Sequence, residues 1–158
     1  MKKHSCGAIL YTISKNKVYV ILGMEHGGWF PFKGTREKHE NNRQAAIREI
    51  HEETCGIVNI KYIDLKCNFS TKSKHYHIGL VYVPLDNIKK FYKTRKKIME
   101  TTPYKAAFLE KTEINLFKLD TITSYDFHDV TRIPVNYYRE CLSKLQSEVV
   151  KSTLIKQV

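Results

Sequence analysis

Between Gly34 and Ile57 the chain reads G-T-R-E-K-H-E-N-N-R-Q-A-A-I-R-E-I-H-E-E-T-C-G-I, and this stretch constrains the fold more than any other. Glu49, Glu52 and Glu53 stand at i, i+3 and i+4, which stacks their side chains on one face of an α-helix. At about 100° per residue the three span an arc of roughly 100°. Ala46, Ile47 and Ile50 fill the neighbouring arc, wide enough for a core-facing stripe. One helix therefore buries an apolar edge and carries three carboxylates beside it. Such carboxylates repel one another, and either raised pKa values or a bound hard cation relieves the repulsion. An all-oxygen set suits Mg²⁺ or Mn²⁺ better than zinc. A solvated acidic helix face is the plainer alternative.

The wider spacing adds to this. Gly34 is followed by five residues and Glu40; seven more lead to Arg48-Glu49-Ile50, then Glu52-Glu53, then Gly56-Ile57. The pattern resembles the Nudix box, G-x5-E-x7-R-E-U-x-E-E-x-G-U with U aliphatic. It departs in one place: Thr54 and Cys55 stand between Glu53 and Gly56, where the family has a single residue. That insertion follows the last carboxylate, so it is expected to lengthen the helix end and shift its glycine cap without disturbing the carboxylate register.

The resemblance implies a Nudix-type α/β/α sandwich and metal-dependent hydrolysis of a nucleoside diphosphate linked to some other group. Residue by residue, it implies Glu49, Glu52 and Glu53 as ligands of Mg²⁺ or Mn²⁺, with Gly34 in a tight turn close to the metal. It implies Arg48 as the group orienting the carboxylates, and Glu40 as support for the loop or for a further metal. Divalent ions suit this chemistry because a nucleophile must approach an already anionic phosphorus. Taken alone, Arg48 is equally an ordinary intrahelical ion-pair partner and Gly34 a plain turn glycine.

The approach to the box, Trp29-Phe30-Pro31-Phe32-Lys33-Gly34, is similar to the W-x-F-P-K-G-K lead-in of messenger-RNA decapping enzymes, with Phe32 intervening and Thr35 in place of the second Lys, and more loosely to the P-K-G of diadenosine polyphosphate hydrolases. The resemblance implies cap hydrolysis with release of methylated GDP, with diadenosine or diphosphoinositol polyphosphates or other nucleotides as alternative substrates and an inactive RNA-binding module as a further alternative. The setting E-I-N-L-F-K-L from Glu113 resembles a segment of the same enzymes that supplies a further metal ligand or general base. Glu113 is the expected residue here, with Glu110 as alternate. Lys33 is a candidate phosphate contact. Trp29, Phe30, Phe32 and Tyr76 are candidates for sandwiching a cationic methylated guanine, Trp29 foremost by position. His75 and His77 share a strand face and, with no third ligand in view, read as substrate contacts or surface.

The 158 residues suit one domain, 1–158, with a basic, weakly patterned insertion around 86–105. Net charge is +11, which attracts polyanions such as RNA or highly phosphorylated small molecules. Residues 89–97 hold six basic side chains in nine with two aromatics between them. Lys93, Arg95, Lys96 and Lys97 there are candidate contacts to a nucleic-acid backbone, with a solvated insertion as the alternative. The expected partner is capped RNA or another polyanionic phosphate substrate. Four cysteines without metal spacing read as reduced thiols of a cytosolic protein. Neither a signal peptide nor a membrane-spanning run is expected.

Residues 4–13 and 17–25 predict paired strands, 42–54 the helix with Asn41 or Asn42 as cap, and 57–69, 75–83 and 113–119 further strands. A short helix is expected over 120–127 and a longer one over 131–150, with Val135, Tyr138, Leu142 and Leu145 at helical spacing. By pattern alone the fold class is α+β; the mixed sheet between helix layers comes from the resemblance.

Overall fold

The structure, a computed structural model, describes residues 2–101, 106–122 and 135–156. Strand β1 (Lys3–Ser14) is buried almost throughout, because both of its faces are covered. Cys6, Ala8 and Leu10 point to one core with Ile21, Phe32, Ala46 and Ile50. Ile9, between them, points to a second core with Val20, Leu22, Ile78, Tyr138 and Leu142. Alternation along a pleated strand produces this split, and a strand buried on both faces reads as a continuous apolar run.

Around β1 the sheet is mixed. β2 (Lys17–Glu25), β3 (Gly28–Phe30), β4 (Phe32–Thr35), β5 (Cys67–Ser70), β6 (Lys74–Tyr82) and β7 (Glu113–Lys118) complete seven strands. The main path runs β3-β2-β1-β6-β5, with β4 also pairing β1 and β7 also pairing β2. Among the described strands only β1 and β6 run parallel, with His4 opposite His75 and Cys6 opposite His77. The expected 4–13 and 17–25 strands form this antiparallel pair.

Helix α1 (Asn42–Glu53) lies on the first core face. Asn41 caps it: its side chain accepts from the Gln44 backbone while the Gln44 side chain accepts from the Asn41 backbone, a reciprocal capping box. The long helix expected over 131–150 is described over Val135–Lys156, and its Tyr138, Leu142 and Leu145 are buried in the second core. Helix layers on both faces of a mixed sheet give the α+β sandwich. Val135's side chain, the start of that helix at 131–134 and most of the 120–127 helix lie outside the described residues; Leu119–Thr121 is a short helical turn. Among the described residues no helix is long and apolar enough to cross a membrane. All four cysteines are buried and free of disulfides.

Two expectations are corrected. The strand expected over 57–69 exists only at Cys67–Ser70; Val58 and Ile63 reach the α1 core from irregular chain. The box insertion does not lengthen α1. The helix ends at Glu53, and Cys55 and Gly56 both take left-handed backbone conformations (φ 55° and 79°) to turn the chain. Where it is described, the stretch after β6 contains a short helix α2 (Leu85–Ile88) and a longer α3 (Phe91–Glu100). Phe91 of α3 is fully buried in the α1 core. Phe91→Ala is therefore expected to cost about 3–5 kcal/mol, the usual range for emptying a buried phenylalanine site. Urea unfolding checks this; a loss below about 1 kcal/mol, that of an ordinary surface change, would place Phe91 outside the core.

Candidate active site

Helix α1 and the β4 loop meet at the carboxylates. Gly34, in β4 opposite Cys6, lies directly against the Glu49 carboxylate, and a β-carbon on Gly34 would overlap that carboxylate. Glycine is required here for close approach. Arg48 then gathers three acids. Its Nε donates to Glu40, its Nη1 to Glu49 at 2.8 Å and to Glu52 at 3.3 Å, and its Nη2 to the Thr35 carbonyl at 3.2 Å. The hydrogen bond from Arg48 holds the Glu40 carboxyl below its usual range. Burial pushes Glu49 up, against the pull of Arg48.

Glu53 lies behind these acids and is 1% exposed. Its Oε1 accepts from the Lys33 backbone N–H at 2.6 Å, and its Oε2 lies 3.4 Å from Lys111 Nζ. Burial pushes its pKa up to about 8. Glu25, Glu53 and Glu110 bring carboxylate oxygens within 4.8 Å of one another. Glu25 is the end of β2 and Glu110 precedes β7, which pairs with β2, so the sheet itself assembles this second acidic group. Burial and the charge of Glu25 raise the Glu110 carboxyl.

These residues surround a cleft of about 520 Å³ lined by Glu25, Lys33, Gly34, Arg48, Glu49, Glu52, Lys74, Glu110 and Lys111, with Phe30 on its wall. It holds anionic ligand groups for a hard cation beside lysines suited to phosphate. The oxygen-only donor set, with the Gly34 backbone against Glu49, fits Mg²⁺ or Mn²⁺.

The structure brings Gly34, Lys33, Arg48, Glu49 and Glu52 to this cleft, with Glu53 directly behind. It does not bring Glu113, which is exposed at the start of β7 opposite Met24; Glu110 is the acid that this segment contributes. Trp29 points to the opposite core face, edge-on to Phe117 with centroids 5.4 Å apart, because alternation on β3 gives the cleft to Phe30. Tyr76 stacks on Phe69 on that face, and Lys33 Nζ lies 5.5 Å above its ring. His77 pairs with His4 at 2.9 Å and His75 with Ser70 at 2.7 Å, outside the cleft lining. Lys93, Lys96 and Lys97 are on α3 and are not among the residues lining the cleft. Arg95 is committed to structure: it donates to the Lys111 carbonyl at 3.0 Å and the Leu109 carbonyl at 3.2 Å, fixing the chain on both sides of Glu110.

Sequence reasoning missed Glu25 and Lys111. Only the β2–β7 pairing reveals them; nothing in the local spacing sets either apart.

No model of a known protein family matches the sequence, and no curated protein sequence matches it. Solved structures do. The chain is similar to an Ap4A hydrolase of C. elegans in a binary complex (18% identity, 94% of this chain and 98% of that one, TM-score 0.60). It is similar to a mutT/nudix family protein of Listeria innocua (18%, 97% of each chain, TM-score 0.61). It is also similar to the Nudix domain of Shewanella oneidensis NrtR complexed with ADP ribose (13%, 94% and 89%, TM-score 0.59). The fold is thus that of the Nudix proteins.

Proposed function

We propose that this chain is a metal-dependent Nudix pyrophosphohydrolase that cleaves a nucleoside diphosphate linked to another group. The observation that carries the reading is the cleft in which Arg48 holds Glu49 and Glu52 while Gly34 packs on Glu49. Glu49, Glu52 and Glu53, with the Gly34 backbone, are the residues that would hold Mg²⁺ or Mn²⁺. Such an ion supplies charge neutralisation for the substrate's phosphate oxygens. Arg48 orients the acids by charge-assisted hydrogen bonds. Lys33 and Lys74, both among the residues lining the cleft, supply positive charge for a phosphate chain. Glu110, whose carboxyl is raised within the cleft, takes the general-base role that the sequence suggested for Glu113.

The substrate we favour is the messenger-RNA cap, with release of methylated GDP. The net charge of +11 and the α3 lysines support a long polyanion. A second reading, hydrolysis of a dinucleoside polyphosphate, draws on the likeness to the Ap4A hydrolase over nearly its whole length. Incubation with cap-labelled RNA and, in parallel, with diadenosine polyphosphates separates them. Release of methylated GDP from RNA supports decapping; turnover of the small molecules alone supports the second reading.

Neutralising Lys93, Lys96 and Lys97 together with Gln, with Arg95 left in place to hold the backbone, is expected to weaken RNA binding. Each lost phosphate contact should lower the slope of log K against log salt by about 0.7 for a single strand. Filter binding across a salt series checks this, and an unchanged slope removes α3 from the RNA path.

A further inference from the structure

Lys111 is 1% exposed, and a lysine is almost never buried so completely without anionic partners. Its Nζ donates to Glu25 Oε2 at 2.9 Å and to the Pro31 carbonyl at 3.3 Å, and lies 3.4 Å from Glu53 Oε2. The ammonium also lies 5.5 Å and 5.6 Å from the ring centres of Phe30 and Phe32. The path for its stem is built into the sheet: a β-carbon on Gly23 would come within 2.6 Å of Lys111 Cδ. Arg95 and the β2 backbone fix the chain on either side, through the Lys111 carbonyl and the Thr112 N–H bonded to Met24. A positive charge is thus seated between two of the three carboxylates of the Glu25–Glu53–Glu110 group.

We propose that the Lys111 ammonium is a resident cation of the active site: it occupies the position between Glu25 and Glu53, keeps Glu25 out of divalent-ion coordination, and confines the metal to the Glu49 and Glu52 side of the cleft, with Glu53 shared between the two charges. The inference rests on the proposed metal-dependent reading of that cleft. Its physical basis is competition. A carboxylate already hydrogen-bonded to a buried ammonium gains less from a divalent ion, and the ion is repelled by the ammonium it approaches. Lys111 is a positioning residue on this account, acting through Glu25 and Glu53.

The test counts Mn²⁺ ions bound per chain by electron paramagnetic resonance near pH 8, without substrate. Glu25→Gln is expected to leave the wild-type count and affinity unchanged. Lys111→Met keeps the apolar stem between Gly23 and the two rings while removing the charge. It is expected to bind one further Mn²⁺ ion, and the double variant Lys111→Met/Glu25→Gln to return to the wild-type count. Loss of an ion in Glu25→Gln, or an unchanged count in a folded Lys111→Met, overturns the inference. Should Lys111→Met fail to fold, Lys111→Gln, whose amide can still donate to Glu25 and the Pro31 carbonyl, carries the same count, and an unchanged count there overturns the inference. If wild type binds no Mn²⁺ while Lys111→Met does, the resident-cation role stands and the metal-dependent reading falls.

Discussion

Glu52→Gln is expected to lower turnover at least about a thousandfold while leaving substrate affinity and the melting temperature near wild type. Glu52 sits on the wall of the cleft, joined to Arg48 at 3.3 Å and partly open to solvent. Its replacement by the isosteric amide removes a negative charge without opening a cavity, so the fold has little to lose. Arg48 retains Glu40 and Glu49 as partners. On the proposed reading, what is lost is one anionic ligand at the centre where charge must be neutralised during attack on a pyrophosphate. The affinity for a polyanion is carried elsewhere, by Lys33, Lys74 and the positive surface, so KM should move far less than kcat. Steady-state kinetics on whichever substrate the protein turns over, with circular dichroism as a folding control, provides the check. Turnover within about tenfold of wild type would remove Glu52 from the chemistry.

The parts of this site that were legible in the sequence share a cause. Glu49, Glu52, Glu53, Arg48 and Gly34 are placed by one helix and one turn, so their geometry is local and their spacing carries it. The Asn41 cap is local in the same way. The α3 helix was hidden because its register is written with few apolar residues. Phe91 and Ile98 are its inward anchors, and Arg95 between them turns its guanidinium inward onto backbone carbonyls, so a stretch rich in lysine reads as solvated surface. Residues 57–66 misled in the opposite sense: Val58, Ile63 and Leu65 are apolar because they line the α1 core, and an irregular chain satisfies that as well as a strand. Glu25 and Lys111 belong to segments 86 residues apart that meet through β2–β7 pairing. No spacing rule connects them. Glu110 and Glu113 differ only in which one clears the sheet and reaches the cleft, a distinction fixed by where β7 begins.

Mn²⁺ affinity should rise steeply with pH and level off near pH 8. Burial raises the Glu53 carboxyl to about 8 and moves Glu49 in the same direction, so the metal-free site holds protons that a divalent ion must displace. One displaced proton makes affinity change about tenfold per pH unit well below the pKa, or roughly fiftyfold between pH 6 and pH 8. The same shift has a signed effect on stability. Glu53 is raised above its unfolded value, so between about 4.5 and 8 this group binds more proton in the metal-free folded state than in the unfolded chain, and its contribution to stability falls as pH rises through that window. Saturating Mn²⁺ should reverse the trend, because it binds the deprotonated folded site and not the unfolded chain. Glu53→Gln has no proton to exchange at this position, so both its melting temperature and its residual Mn²⁺ affinity should depend less on pH than those of wild type. Melting curves and Mn²⁺ titrations from pH 5 to pH 9, in wild type and in Glu53→Gln, measure both effects. A wild-type affinity that does not change across this range would mean that Glu53 is already ionised in the metal-free cleft, with Lys111 bearing the whole of its compensation.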